Sequence, residues 1–92
     1  MAQKRQYLIT RIHSEGNNGS GMVMRTEDRD QWIREIRRTI YERGIKFENV
    51  IVIKHEDYDV CCMAETAQGF AAMAYIRQFA PTVAKLPKEV TR

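Results

Sequence analysis

The segment from Asp28 to Gly44, DRDQWIREIRRTIYERG, constrains the chain more than any other stretch. Trp32, Ile33, Ile36 and Ile40 recur at helical spacing, which gathers them on one stripe. Asp28 is an N-cap with Gln31 three residues on, a capping-box pattern, and Glu27, Asp28 and Asp30 suit the positive end of the helix dipole. Arg43 closes the last turn, and Gly44 fits the left-handed position just past it. The pattern predicts a helix over Asp28–Arg43 whose apolar stripe must be buried against another layer.

The flanking segments supply that layer. Gln6–His13 alternates with period two: Leu8, Thr10 and Ile12 share one face, while Tyr7, Ile9, Arg11 and His13 share the other. This strand runs into Gly16, Asn17, Asn18, Gly19, Ser20 and Gly21, turn formers that predict a flexible loop. Met22–Arg25 then reads as a short strand returning beside the first. Phe47–Ile53 reads as a strand whose unbroken Val-Ile run suits a central position covered on both faces, or one face used by a partner. Glu56–Asp59 reads as a hairpin turn and Val60–Ala64 as the returning strand. From about Thr66 the Ala-rich AQGFAAMAYIRQFA is helical, with Pro81 as its stop.

Ninety-two residues allow one domain with a thin core. The expected fold is therefore one α+β domain over residues 1–92, a small two-layer sandwich. It has a three- to four-stranded antiparallel sheet with two helices on one face, and residues 82–92 form a loosely held tail. No apolar run is long enough to span a membrane. The basic start MAQKRQYLIT carries no apolar core of a secretory signal, and Cys61 and Cys62, being adjacent, do not bridge each other. Both features predict a reducing, cytoplasmic setting.

Net charge is only +3, so binding to an anionic partner must come from local clustering. Ten of the fifteen basic residues are Arg, whose planar fork suits phosphates and carboxylates. Arg34, Arg37 and Arg38, with Tyr41 nearby, lie on the expected outer side of the helix. Asp30 with Arg34 and Arg38 with Glu42 can pair at four-residue spacing, which would make this a solvated, ion-paired face. The unpaired alternative is an Arg patch for phosphate or for an acidic protein surface. A second basic group is Lys4, Arg5, Arg11 and His13 around Tyr7 on the first strand, an arrangement that small sheets use for single-stranded nucleic acid. The aromatic pattern of RNA-recognition strands is missing from Val60–Ala64.

Chemistry has few footholds. The glycine loop has no GK[ST] and no helix directly after it, so it is not a nucleotide loop. His55, Glu56, Asp57 and Asp59 with Cys61 and Cys62 lack the paired spacing of a zinc site, and carboxylates in a turn are ordinarily solvated. A thiol–imidazole pair of Cys61 or Cys62 with His55 or His13 would need the fold to join them. Alternation points one thiol inward and the other outward. No catalytic residue, metal or cofactor is expected.

Taken together, QYLITRIHSEGNNGSG, DRDQWIREIRRTIYERG, NVIVIKHEDYD and ETAQGFAAMAYIRQFA give a whole-chain character that resembles the small phage-encoded anti-CRISPR proteins, closest to inhibitors of type I-F surveillance complexes. The resemblance lies in size, element order and character, not in a diagnostic motif. It implies a non-enzymatic, stoichiometric inhibitor, acting in the cytoplasm of a host bacterium. Such a protein binds a multi-subunit complex of Cas proteins with guide RNA and blocks target-DNA pairing, with no membrane and no small-molecule substrate involved. Several such inhibitors are acidic DNA mimics, whereas this chain is basic, so bulk mimicry does not fit. Glu56, Asp57 and Asp59 would meet Lys residues of the partner, and Arg11, Arg34, Arg37 and Arg38 would touch guide-RNA phosphate or acidic protein. The other reading is a small basic module that binds RNA or single-stranded DNA itself.

Overall fold

A computed structural model describes residues 4–12, 20–79 and 82–91. The elements run β1 (Gln6–Ile12), β2 (Ser20–Thr26), α1 (Arg29–Arg43), a 3-10 turn (Phe47–Asn49), β3 (Val50–Lys54), β4 (Tyr58–Ala64), α2 (Ala67–Phe79), β5 (Val83–Ala84) and α3 (Lys88–Thr91).

The predicted helix forms with both its ends. Asp28 Oδ1 accepts from the amides of Asp30 and Gln31, at 3.0 and 3.2 Å. Gly44 takes φ +65° and donates its amide to the Ile40 carbonyl. The reciprocal half of the capping box is replaced: Gln31 Oε1 accepts from the Thr26 hydroxyl, and that hydroxyl oxygen accepts from the Asp28 amide. Trp32, Ile33, Ile36 and Ile40 are buried, as their spacing requires.

The sheet is five-stranded and mixed, in the order β2-β1-β4-β3-β5, not a three- to four-stranded antiparallel sheet. The departure comes from β1, which lies between β2 and β4 and pairs parallel with β4 from Gln6↔Tyr58 to Ile12↔Ala64. Period-two alternation is the same for either direction of pairing, so β1 carries no local mark of it. Between Ile9↔Met24 and Thr10↔Met22 the register shifts, leaving Val23 as the extra residue of a bulge. β2 is longer than its apolar stretch and takes in Ser20 and Gly21, which the loop expectation had included. Gly16, Asn17, Asn18, Gly19 and His13 lie outside the described residues.

The helices do not share a face. Ile9, Val50, Val52, Cys61 and Met63 pack under α1 with Ile45 and Val90, while Ile12, Ile51, Ile53, Val60, Cys62 and Ala64 pack under Ala72 and Met73 of α2. The molecule therefore has three layers, helix on sheet on helix. β3 is covered on both sides, the first of the two readings its apolar run allowed. The start of the predicted strand, Phe47–Asn49, is instead a 3-10 turn leading into it.

The expectation of a loose tail also fails. Val83 and Ala84 add β5 to the edge of β3, the Lys54 amide donates to the Thr82 carbonyl at 3.1 Å, and Val90 is 0% exposed in the α1 core. A two-residue strand and a four-residue helix are too short to show periodicity. Their stability comes from being docked, not from propensity.

Candidate partner-binding surface

The outward side of α1 is built by the same periodicity as its core. Arg34, Arg37, Arg38 and Tyr41 fall opposite Trp32, Ile33, Ile36 and Ile40, and all four are exposed. Arg38 is neutralised within the helix, with Nε 3.1 Å from Glu42 and Nη1 3.8 Å from Glu35. The hydrogen bond to Glu42, followed by the fields of Glu42 and Glu35, raises the Arg38 pKa. The expected Asp30–Arg34 pair does not form, and among the described residues Arg34 and Arg37 have no carboxylate partner. The stripe thus combines two uncommitted guanidinium groups with a phenol one turn further along.

The first-strand cluster is dispersed. Arg5 turns away to the β3–β4 hairpin, where its Nε and Nη2 hold Asp59 Oδ1 at 3.1 and 2.6 Å. It also donates to the carbonyls of His55 and Glu56, at 2.7 and 3.1 Å. Tyr7 packs its ring 5.0 Å from that of Trp32. Arg11 pairs with Glu65 at 3.0 Å. Glu65, which no sequence motif marks, also takes a two-pronged contact from Arg43 at the end of α1. The Arg43 hydrogen bond is the main cause that holds the Glu65 carboxyl below the usual range, with burial opposing it and Arg11 assisting. This junction borders an open cleft of about 340 Å³ lined by Lys46, Glu48 and Phe70 among others. No local signal ties position 65 to positions 11 and 43, because the three meet only once β1 and β4 are paired in parallel.

The acidic cluster is also divided. Tyr58 and Asp59 belong to β4, not to the turn, and Asp59 is only 6% exposed beneath Arg5. Asp59 is therefore committed inside the molecule and is withdrawn as a contact to a partner's Lys residues. Glu56 and Asp57 remain exposed on the turn, and the His55 ring stacks on Tyr58 at 4.3 Å.

Both thiols are buried. Cys61 points into the α1 core and Cys62 into the α2 core, so the outward thiol expected from alternation instead faces a second helix. Burial, then the neighbouring Cys62, pushes the Cys61 thiol far up. Burial raises Cys62 as well, against the Thr10 hydroxyl that donates to its sulfur at 3.6 Å. Neither is an accessible thiolate. Among the described residues no group of three or more His, Cys, Asp or Glu side chains is placed to hold a metal, and no helix is long and apolar enough to cross a membrane.

No protein-family model, curated protein or solved structure matches this chain.

Proposed function

We propose that the protein is a non-enzymatic, stoichiometric inhibitor that docks the outward face of α1 on a type I-F CRISPR surveillance ribonucleoprotein and blocks pairing of target DNA with the guide. The choice of partner rests on the whole-chain resemblance. The choice of surface rests on one observation: Arg34 and Arg37, with Tyr41, stand exposed on a doubly capped helix, without carboxylate partners among the described residues. Unpaired Arg beside an aromatic ring suits either guide-RNA phosphate or an acidic protein patch.

The test mixes the purified protein with a purified type I-F complex and reads target-DNA binding. A stoichiometric excess should abolish DNA binding, and Arg34→Glu with Arg37→Glu should weaken inhibition about 100-fold while leaving the melting temperature unchanged. Undiminished DNA binding at excess inhibitor overturns the proposal. Direct binding to free RNA by the same two residues would give a salt slope of about −1.4 to −1.8, set by two neutralised phosphates, and would favour the nucleic-acid module.

A further inference from the structure

β2 stands at one margin of the sheet, and among the described residues its only strand neighbour is β1. Of the usual guards of an open edge it has the bulge at Val23 and one charge, Arg25, but no Pro and no Lys. The opposite margin, β5, is only Val83–Ala84, so β2 holds the longer row of unpaired backbone N–H and C=O groups. Exposed apolar side chains gather beside that row. Ladder partners share a side of the sheet, and Met22 pairs with Thr10, whose hydroxyl donates to Cys62 Sγ in the α2 core. Met22 therefore lies on the α2 side, where α2 packs chiefly on β4 and β1 and leaves Met22 59% exposed. Along α2, Phe70 lines the cleft beside Glu48, and Arg77 donates to the Glu48 carbonyl just before β3, which fixes one flank of the helix toward β3. At about 3.6 residues per turn, Tyr75 and Phe79 fall on the other flank, toward β1 and β2, and both stay exposed.

We propose that this edge joins two copies of the chain, β2 pairing antiparallel with β2 about a twofold axis perpendicular to the sheet. Such an axis keeps both copies of α2 on one side of the continuous sheet. With strands about 4.8 Å apart and α2 seated over β4 and β1, the two helix axes stand about 19 Å apart. Helices about 10 Å across leave a channel between them that long side chains can close. Tyr75 and Phe79 of each copy face it, and Met22 lies on its floor. A second copy fits this edge better than a lone peptide strand, which would leave both aromatic side chains in water. The three side chains expose about 400 Å² per copy, so a dimer covers roughly 800 Å² of apolar surface besides the paired backbone, close to the ~1,200 Å² of a stable interface. An axis near Met22 sets the two Arg25 residues about 20 Å apart, so like charges do not oppose each other. The outward face of α1 lies on the other side of the sheet, so the proposal is independent of the inhibitor reading.

Sedimentation velocity of the full chain should show a 10.8 kDa species at about 1 μM and a species of about twice that mass at about 1 mM, with a Kd of about 10–100 μM. Met22→Lys should weaken the dimer about tenfold or more, and so should Tyr75→Ser with Phe79→Ser. All three positions are exposed, so melting temperatures of the variants at about 1 μM should match the parent. Hydrogen exchange should find the β2 amides that face away from β1 protected at about 1 mM and open at about 1 μM. Arg34→Ala with Arg37→Ala should leave the Kd within about twofold. A chain that stays monomeric to about 1 mM overturns the proposal and leaves the edge to an extended peptide. A dimer whose β2 amides gain no protection, or one that survives Met22→Lys undiminished, overturns it as well.

Discussion

The two sides of the sheet are closed by opposite means. On the α1 side the helix is held at both ends by Asp28 and Gly44 and fills the interface with Trp32, Ile33, Ile36 and Ile40, and α3 adds Val90. On the α2 side the buried residues are Gly69, Ala72 and Met73, with Ile76 partly covered. There a Cβ on Gly69 would stand 2.4 Å from the Ile12 carbonyl oxygen, so the helix backbone is pressed close to β1. The outer faces differ in the same sense. α1 turns arginines outward, whereas α2 exposes Tyr75 and Phe79, their rings 4.6 Å apart and tilted by 42°, beside exposed Ala71 and Ala74. One layer is fixed by side-chain volume and the other by nearness, and they should fail differently.

The largest loss is expected on the volume side. Trp32→Ala removes a side chain that is 1% exposed and leaves the Leu8 carbonyl without its indole N–H donor at 2.9 Å. Urea denaturation should show a loss of about 3–5 kcal/mol, a large part of the stability a domain of this size has. A loss below about 1 kcal/mol would mean that α1 is not the principal clamp. Next comes Gly69→Ala, which helix propensity alone would favour by about 1 kcal/mol. The clash with Ile12 should reverse that sign, giving a net loss of about 1–3 kcal/mol by the same measurement. A stabilised Gly69→Ala protein would show that α2 is packed loosely.

Smaller still is the acid response of the Glu65 junction. Its carboxyl is held below the unfolded value, so its contribution is complete above the unfolded pKa of about 4.3 and is lost as pH falls through the lower folded value. Melting temperatures followed downward from neutral pH should therefore fall less steeply for Glu65→Gln than for the parent chain, with the two curves converging in strong acid. Equal slopes would remove Glu65 as a fastener of α1 to β1. The smallest effect belongs to the outer face of α2: Ala71→Gln should change stability by no more than about 0.5 kcal/mol, since that position is exposed.

The sequence disclosed α1 in full because every signal it needs is local: cap, stripe and stop fall within seventeen consecutive positions. β3 was legible for a related reason, since four consecutive branched apolar residues leave no face for solvent. What stayed hidden depends on distant partners. The side taken by α2 is not encoded in a helix whose outer face is nearly as apolar as its inner one. The docking of residues 83–91 is carried by isolated side chains such as Val90. The candidate surface follows the same rule. Exposure of Arg34, Arg37, Arg38 and Tyr41 could be read from helical spacing. The capture of Asp59 by Arg5 and of Arg11 by Glu65 joins residues more than fifty positions apart.

The parallel pairing of β1 with β4 also sets a clock on biosynthesis. Thr10 and its ladder partner Cys62 are separated by 52 positions, so β1, an interior strand of the sheet, is among the first segments made and waits for a neighbour made late. At about 5–20 residues per second the ribosome holds β1 without β4 for roughly 3–10 s. During that interval β2 can pair with one of its edges and α1 can cover one of its faces, while the edge that β4 takes stays open. The nascent chain therefore carries an unpaired edge of β1 until most of the sequence has emerged.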